Sequence, residues 1–423
     1  MPAKARVCAY TVLRRVFEDG AYADRALQGE AKELDARDRA LAMRLVYGAV
    51  QRKGTLDYLI ERLAERPAEQ LDARLLAALR LGLYELLYLS GAPDHAVVAD
   101  AVELAKGGAR GGHGLVNAVL RRGTREGAAL LSELSDDTPQ HAAVKHSHPE
   151  WIARLWWEQL GADDTRALMA YDNEPGEVAL RVNTLLTDAA TLAGELPVAT
   201  HGDPELPEAL VLEGPFDAHD SPAWRAGAFL AQSRAAMHVS RVLDPQPGER
   251  VLDLCAAPGG KSTHLAALMG GEGEVVAVER NSRRAGMLTR TAQRLHVPNI
   301  RVEVADAASA RPEGAVFDRV LVDPPCSGLG TLQARADLRW RVTPEDVSEM
   351  TRTQAAILAA GAAALRPGGV LVYSTCTISP TENELQIIAF LNAHPDFSRD
   401  ELMRTLPHRD HTAGFFIARL RRS

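Results

Sequence analysis

The sequence predicts a multidomain protein: an all-helical bundle, then a small α+β segment, then an α/β domain with a Rossmann-like sheet. Three observations predict this order. The chain has 423 residues, which is too long for one typical core. Up to about residue 125, apolar side chains recur at helical spacing, and after about residue 227 short apolar runs alternate with helical stretches. We place the three parts at 1–128, 129–225 and 226–423.

The N-terminal part is predicted to be a helical bundle because its leucines recur every three or four residues. Breaks between helices are expected at Gly54, at Pro67 and over 91–94. A glycine-rich link over 107–114 precedes a last short helix, expected over 115–122. The apolar positions are Leu41, Leu45, Leu56, Leu59, Ile60, Leu63, Leu75, Leu76, Leu79, Leu83, Leu86 and Leu87.

The middle part begins with a polar stretch over 127–149, which we interpret as a linker. A helix rich in tryptophan follows, with Trp151, Trp156 and Trp157. The alternation of residues 178–183 then suits a β-strand.

The C-terminal part is predicted to contain a parallel sheet covered by helices on both faces, because its strands are continuous apolar runs. The expected strands are 250–254, 274–279, 300–304, 317–323 and 370–374, and the expected helices are 261–269, 282–295 and 344–365. In such sheets a ligand binds outside the carboxyl ends of the strands.

Composition excludes several classes of protein. The net charge of −8 argues against a protein that coats nucleic acid nonspecifically. No apolar run reaches the roughly 20 residues of a membrane span, and we expect no signal peptide and a cytoplasmic protein. Four scattered cysteines predict free thiols and no metal site. Three arginine clusters are candidates for local basic faces, the alternative being ordinary solvated helix faces. They are Arg121, Arg122 and Arg125; Arg280, Arg283, Arg284, Arg290 and Arg294; and Arg419, Arg421 and Arg422.

A glycine turn follows the first predicted strand of the sheet, in residues 251–263. Gly259 and Gly260 allow a tight turn and close approach of the backbone to a ligand, and the next helix directs its N-terminal amides there. The second strand ends in Glu279, the usual place for an acceptor of ribose hydroxyls, and Asp306 after the third could meet an adenine amino group.

Other interpretations of this turn are open. A dinucleotide fingerprint G-x-G-x-x-G is absent. A nucleotide-binding P-loop nearly matches at 260–262, but Cys255 stands where its first glycine is required. An ordinary strand-to-helix turn explains the glycines and leaves the acids that end the next strands unexplained.

Two cysteines are expected at the same edge of the sheet. Asp323 and Cys326 come just after the fourth strand, and Cys376 comes 50 residues later, just after the fifth. A lone cysteine is more often a small buried hydrophobe than a nucleophile, which suits Cys8 and Cys255. That explanation is weak for two cysteines in loops at a ligand-binding edge.

These motifs resemble those of the RsmB (Fmu/Sun) family of ribosomal RNA cytosine-C5 methyltransferases, within the wider Sun-domain family. The matching segments are 252–261 (LDLCAAPGGK), 323–328 (DPPCSG), 374–377 (STCT), 181–183 (RVN) and 414–420 (GFFIARL). The helical N-terminal part resembles the RNA-binding NusB domain that the family carries. The resemblance thus covers nearly the whole chain.

The resemblance implies a class I methyltransferase domain that uses S-adenosylmethionine to make 5-methylcytosine. It implies that Cys376 attacks C6 of the base, that Cys326 assists release, and that Asp323 bonds to the N3 edge. Lys261 would supply positive charge nearby, the alternative being a solvated lysine in the first turn of its helix. The cofactor-binding residues would be Cys255, Ala256, Ala257, Pro258, Gly259, Gly260, Lys261, Glu279, Arg284, Asp306 and Asp323.

The sequence departs from the family pattern at a few positions. Glu279 stands where Asp is frequent, Ser262 where Thr is common, and Thr381 and Ala413 where acids are common. Every cofactor and cysteine position is kept. The expected partner is ribosomal RNA, most directly the 16S RNA of the small subunit. The protein is expected to be a monomer. DNA methyltransferases with one essential cysteine, a non-catalytic RNA-binding assembly factor and a P-loop ATPase are the alternatives.

Overall fold

A computed structural model of the chain describes residues 2–106, 111–218, 221–309 and 316–423. These residues divide into two units. The first comprises the chain up to Glu174 together with Leu332–Arg341, and the second comprises Pro175–Thr331 and Val342–Ser423. The domain boundaries predicted at residues 128 and 225 are not tested by this division and stay predictions.

The first unit is helical, as predicted, and its helices up to Ser132 share one apolar core. Leu13, Leu45, Leu59 and Leu79 are fully buried in it. Several helices begin at side chains that accept backbone N–H bonds, such as Asp35 for the third helix. The helices are α1 (Lys4–Phe17), α2 (Ala23–Glu30), α3 (Ala36–Gln51), α4 (Lys53–Ala64), α5 (Ala73–Tyr88), α6 (Asp94–Ala105), α7 (Gly112–Ser132), α8 (Pro139–Lys145), α9 (Glu150–Leu160) and α10 (Ala162–Tyr171).

The predicted linker over 127–149 is wrong. Helix α7 continues to Ser132, well past the short helix expected over 115–122, and α8 occupies much of the rest. Polar residues of this stretch stabilise helices instead: the Thr138 side chain caps α8 by accepting the His141 N–H. Of the predicted glycine link, residues 107–110 lie outside the described residues. The tryptophan-rich helix is confirmed as α9.

The segment Leu332–Arg341 belongs to the first unit although it lies far along the chain. It forms a 3-10 turn over Ala336–Trp340, whose Arg339 is fully buried. The Arg339 guanidinium donates to the carbonyls of Ser147 and Asp172 at 3.1 Å and to Asn173 Oδ1 at 2.9 Å. Burial lowers the pKa of Arg339 to about 10, so the side chain stays charged. Arg339 therefore ties this segment to two other stretches of the unit, at Ser147 and at Asp172–Asn173.

The second unit contains a small four-stranded antiparallel sheet in the order β2-β3-β1-β4. The strand predicted over 178–183 is confirmed as its β1, which is completely buried. The strands are β1 (Ala179–Val182), β2 (Thr200–Gly202), β3 (Ala209–Leu212) and β4 (Phe229–Ala231), with helices α11 (Ala189–Glu195) and α12 (Pro222–Arg225).

The larger sheet of this unit confirms the Rossmann-like prediction. All five predicted strands and all three predicted helices are present within a few residues of the expected ends, except that the last strand begins earlier, at Leu365. The strands are β5 (Arg250–Asp253), β6 (Glu274–Val278), β7 (Ile300–Glu303), β8 (Phe317–Val322), β9 (Leu365–Thr375), β10 (Phe397–Thr405) and β11 (Phe415–Arg422). The helices are α13 (Arg234–Leu243), α14 (Gly260–Leu268), α15 (Ser282–Arg294), α16 (Pro344–Ala364), α17 (Glu384–Ala393) and α18 (Pro407–Asp410).

The sheet is mixed, which corrects the prediction of a purely parallel one. Its order is β10-β11-β9-β8-β5-β6-β7, and β11 runs antiparallel to both of its neighbours. The edge strand β10 is exposed along most of its length, so its sequence lacks an apolar run. The carboxyl ends of β5, β6, β8 and β9 meet at one edge because these strands are parallel. No described helix is both long and apolar enough to cross a membrane.

We predict that Arg339→Ala destabilises the first unit by about 3–5 kcal/mol, because several buried acceptors lose their donor. Arg339→Lys should not rescue it, since one ammonium cannot serve acceptors spread over so wide a plane. Urea unfolding followed by circular dichroism measures the change. The control is Arg335→Ala, an exposed arginine of the same segment, which should shift stability by no more than about 0.5 kcal/mol. Equal effects of the two alanine variants would contradict the anchoring role.

Candidate active site

The turn between β5 and α14 is shaped by its glycines and fixed by neighbouring strands. Gly259 has φ +104°, and a Cβ there would lie 3.1 Å from Leu288, so both conformation and space require glycine. The N–H of Leu254 bonds to the carbonyl of Leu321, and the N–H of Ala256 to that of Val278. The turn is therefore held between β8 and β6 with its surface toward the carboxyl edge of the sheet.

A cavity of about 120 Å³ lies against this turn. Two of its lining residues carry buried polar atoms without a hydrogen-bond partner among the described residues, Asp253 Oδ1 and Gln232 Nε2. Asp253 Oδ2 accepts a bond from Ser262 Oγ at 2.7 Å. Burial raises the pKa of Asp253 to about 6. The cavity therefore offers one acceptor and one donor to a ligand; it is lined by Gln232, Ala236, Asp253, Cys255, Ala256, Ala257, Pro258, Gly260, Lys261 and Asp323.

Glu279 and Arg284 lie together beside the turn. Glu279 is 5% exposed just after β6, where it accepts the Asn281 N–H at 2.8 Å. Arg284 Nη1 lies 3.3 Å from Glu279, and Arg284 Nη2 donates to the Ala257 carbonyl at 2.6 Å. Arg284 thus links the acid to the glycine turn. Asp306, by contrast, is exposed after β7 and does not line the cavity.

Asp323 accepts hydrogen bonds through both of its carboxylate oxygens. Lys261 Nζ lies 2.7 Å from Oδ2, and Ser374 Oγ donates to Oδ1 at 2.8 Å. Burial opposes the charge of Lys261, but the Asp323 carboxylate outweighs it, and the pKa of Lys261 is raised. The Lys261 side chain is only 16% exposed, so the solvated lysine considered as an alternative is wrong.

The two cysteines predicted at this edge lie side by side. Cys326 Sγ and Cys376 Sγ are 3.3 Å apart, and both residues are partly buried. The Gly330 N–H donates to the Cys376 carbonyl at 3.0 Å, which joins the backbones of the two loops. The site therefore holds two thiols within contact distance, next to an ammonium–carboxylate pair.

Electrostatics makes the two thiols unequal. The pKa of Cys326 is raised well above its ordinary value, first by its hydrogen bond to Cys376 and then by burial. Lys261 places positive charge beside the Cys376 sulfur and interacts with it electrostatically. Cys326 therefore favours its protonated form, whereas Cys376 is the thiol that lies near the lysine.

The remaining cysteines fit the interpretation as small buried hydrophobes. Cys8 is 6% exposed in the core of α1, and burial raises its pKa. Cys255 packs against the core between the sheet and α16, and burial raises its pKa strongly. Neither is expected to act as a nucleophile. No group of three or more potential metal-ligating side chains occurs in the described part of the chain.

Arginine at position 181 is a part of the site that sequence reasoning did not assign a role. It is fully buried on β1 and donates to Thr263 Oγ1 at 2.8 Å, to Gln232 Oε1 at 2.6 Å and to the Gly260 carbonyl. Burial lowers its pKa to about 9. The small sheet is thereby bonded to the start of α14. The only sequence signal was the family-like segment 181–183.

Two of the three arginine clusters are partly paired with neighbouring carboxylates. Arg122 pairs with Glu126 at 2.9 Å, and the C-terminal cluster pairs with Asp396 and Asp400, whereas the exposed Arg121 bonds to Asn117. The third cluster is the least paired of the three. Its exposed arginines without an ion pair to any residue in the described ranges are Arg280, Arg283 and Arg290.

The chain is similar to known proteins over its whole length. Its residues 240–421 match a family profile described as 16S rRNA methyltransferase RsmB/F, residues 3–125 match the NusB family, and residues 148–219 match an RsmF/B-like ferredoxin-like domain. The fold is similar to the solved structure of PH0851, with TM-score 0.83 and 29% identity over 99% of both chains. It is also similar to NSun6 from Pyrococcus horikoshii with SFG, with TM-score 0.60 and 25% identity over 65% of this chain and 98% of that one.

These likenesses define the class as Rossmann-like RNA methyltransferases with a NusB-type N-terminal domain. Among curated relatives, the probable ribosomal RNA small subunit methyltransferase B of Synechocystis is 37% identical over 99% of both chains. Ribosomal RNA small subunit methyltransferase B of Klebsiella pneumoniae is 32% identical over 98% of this chain and 97% of its own. The chain belongs to this ribosomal RNA small subunit methyltransferase B family, whose members use S-adenosylmethionine as methyl donor.

We predict that S-adenosylhomocysteine binds more weakly as the pH falls below about 6. The unpaired Asp253 Oδ1 suits the ammonium group of the ligand, and the carboxylate that accepts it is present only above its pKa of about 6. Because the bound ammonium favours the carboxylate, protonation of the free site competes with binding, and the Kd rises up to about tenfold per pH unit.

Calorimetry between pH 5 and pH 8 measures this effect. Asp253→Asn should weaken binding at pH 8 by about tenfold, as expected for one lost charge-assisted hydrogen bond, and should flatten the pH dependence. A wild-type Kd that stays constant over this range would show that Asp253 does not meet the ligand.

Proposed function

We propose that this methyltransferase transfers the methyl group to C5 of a cytosine in 16S ribosomal RNA through a covalent bond between Cys376 and C6 of the base. The observation that carries the proposal is the pair of sulfurs 3.3 Å apart beside the Lys261–Asp323 ion pair. Methylation of oxygen or of an exocyclic amine needs no thiol, whereas C5 of cytosine is a poor nucleophile until a nucleophile has added at C6.

The residues beside the glycine turn fit S-adenosylmethionine, which when bound supplies an electrophilic methyl group on sulfonium sulfur. Asp253 and Gln232 offer an unpaired acceptor and donor to the amino and carboxylate ends of its amino-acid part. In this proposal Glu279 accepts ribose hydroxyls, and its ion pair with Arg284 orients it. The turn residues Cys255, Ala256, Ala257, Pro258, Gly259, Gly260 and Lys261, and Asp306 at the adenine, complete the proposed set.

In the first step the Cys376 thiolate adds to C6, forming a carbon–sulfur bond. The electron pair of the C5–C6 double bond moves into the ring toward N3, and C5 becomes the carbon of an enamine. In this proposal Asp323 bonds to the N3 edge, where the charge collects; to stabilise that charge it must donate a proton to N3, because an ionised carboxylate only accepts hydrogen bonds. Lys261 bonds to Asp323 Oδ2 and adds positive charge near the attacking sulfur.

In the last step the proton on the methylated C5 must leave before the carbon–sulfur bond can break. Once Cys376 is bonded to carbon it no longer carries negative charge, so the main cause of the raised pKa of Cys326 is removed. Cys326 can then release its own proton to water and, as a thiolate, take the proton from C5. The electrons of the C5–H bond restore the C5–C6 double bond, and the C6–S pair returns to Cys376.

The target base must be unpaired or turned out of its helix, because C6 is covered by stacking in a duplex. The NusB-type bundle is the part we propose to bind the surrounding RNA, with the unpaired arginines of α15 available for phosphates. A non-catalytic assembly factor would leave the cysteine pair and its ion pair without a purpose.

We predict that the two cysteines give opposite phenotypes. Cys376→Ala removes the nucleophile, so neither 5-methylcytosine nor a protein–RNA adduct should form. Cys326→Ala should permit attack and methyl transfer but slow the release, so that enzyme bonded to methylated RNA accumulates as a retarded band on a denaturing gel.

Cys8→Ala is the matched control, because this cysteine is buried in the first unit, and it should behave like the unchanged protein. If the Cys326 and Cys376 variants behave alike, the division of roles is wrong. If an adduct forms without Cys376, then Cys326 is the nucleophile and the chemistry resembles that of the DNA enzymes.

A further inference from the structure

Glu382 is a fully buried acid next to the cysteine pair that the proposed chemistry leaves without a role. It lies between β9 and α17 and is 0% exposed. No cation among the described residues pairs with it; its partners are neutral donors. Ser327 N–H donates to Oε1 at 2.8 Å, Gln354 Nε2 donates to Oε1 at 3.0 Å, and Ser327 Oγ donates to Oε2 at 2.5 Å.

These bonds join the two cysteine loops to each other. Ser327 directly follows Cys326, and its hydroxyl lies 2.6 Å from Thr377 Oγ1. Thr377 directly follows Cys376. The Glu382 carboxylate thus holds Ser327 by two bonds, and Ser327 holds the neighbour of the second cysteine.

The backbone that carries Glu382 is itself fixed to the strand that carries Cys376. The hydroxyl of Tyr373 in β9 donates to the Glu382 carbonyl at 2.7 Å. Asn383 accepts a bond from Thr375 Oγ1 at 2.5 Å and donates to the Thr377 carbonyl at 2.9 Å. The backbone at Glu382 and the side chain of Asn383 are therefore both hydrogen-bonded to β9 or to the residue after Cys376.

We infer that Glu382 is a positioning residue that sets the separation of the Cys326 and Cys376 sulfurs. C5 and C6 are adjacent atoms, so two sulfurs that act on them must both lie within reach of one bound base. A displacement of about 1 Å can cost about 100-fold in rate, which is the scale on which loss of this restraint acts. The catalytic meaning of the inference rests on the proposed function, but the sulfur separation does not.

The most direct test measures the separation by cross-linking the two thiols. Diamide converts two neighbouring thiols into a disulfide: the sulfurs form one bond and lose two protons and two electrons, which reduce the N=N bond of diamide to a hydrazine. Mass spectrometry of peptides quantifies the Cys326–Cys376 link. The wild type should form it readily, and Glu382→Ala should form it at least about tenfold more slowly.

Glu384→Gln is the matched control, because Glu384 lies two residues away, is ion-paired to Arg404 and takes no part in the network. It should cross-link at the wild-type rate. Glu382→Gln should also stay within about threefold: its amide oxygen can accept from Ser327 N–H and Gln354, and its NH2 group can donate to Ser327 Oγ. Equal rates in the wild type and Glu382→Ala, or no link in the wild type, would overturn the inference.

A kinetic measurement separates positioning from a role in binding or folding. Glu382→Ala should lower kcat by about 100-fold and leave the KM values for RNA and cofactor within about threefold, and Glu382→Gln should keep most of the activity. A Glu382→Gln variant as slow as Glu382→Ala would contradict the hydrogen-bond account.

If circular dichroism shows that Glu382→Ala is unfolded, Ser327→Ala replaces it, since that change removes only the hydroxyl between Glu382 and Thr377. Slower cross-linking in Ser327→Ala would then support the restraint, and an unchanged rate would overturn it. Because cross-linking needs no RNA, a protein that keeps the restraint but makes no 5-methylcytosine would refute the proposed function alone.

Discussion

The contact between the Cys326 and Cys376 sulfurs is the geometric constraint on which the rest of the site depends. The two residues are 50 positions apart in the sequence and come together because β8 and β9 are parallel neighbours that end at one edge. The Gly330 N–H bond to Cys376 then joins the loops at their backbones. The fold brings the loops to one edge, and local hydrogen bonds fix their sulfurs at 3.3 Å.

The same site solves an electrostatic problem. Several ionisable groups are buried here, and burial alone disfavours every charge. The pKa of Lys261 is raised because it pairs with Asp323, whereas Asp253 has no ion-pair partner among the described residues and burial raises its pKa to about 6. At the thiol pair, the contact with Cys376 and burial raise the pKa of Cys326, which therefore keeps its proton. The positive charge of Lys261 thus lies beside the proposed nucleophile Cys376. The Asp253 carboxylate lines the cavity proposed for the cationic ligand.

The sequence was sufficient for the features that local patterns encode. Continuous apolar runs predict β5 to β9, and Cys326 and Cys376, which follow β8 and β9, lie together at one edge as predicted. The strand β10 was missed because an exposed edge strand has no apolar run, and α8 was missed because capping and pairing stabilise a helix that looks polar. The hydrogen-bond partners of Glu382 and Arg181 cannot be predicted from the sequence, because they come from distant segments of the chain. Only the folded chain shows that these two charged side chains are buried.

The account rests most heavily on Cys376 as the residue that bonds to the base. An RNA substrate with 5-fluorocytidine at the target position traps the covalent state, because fluorine at C5 cannot be removed as a proton. Tandem mass spectrometry of the digested complex then locates the nucleotide on one peptide. We predict that the nucleotide is attached to Cys376 and carries the transferred methyl group. Attachment to Cys326, or methylation of the substrate without any trapped complex, would contradict the account.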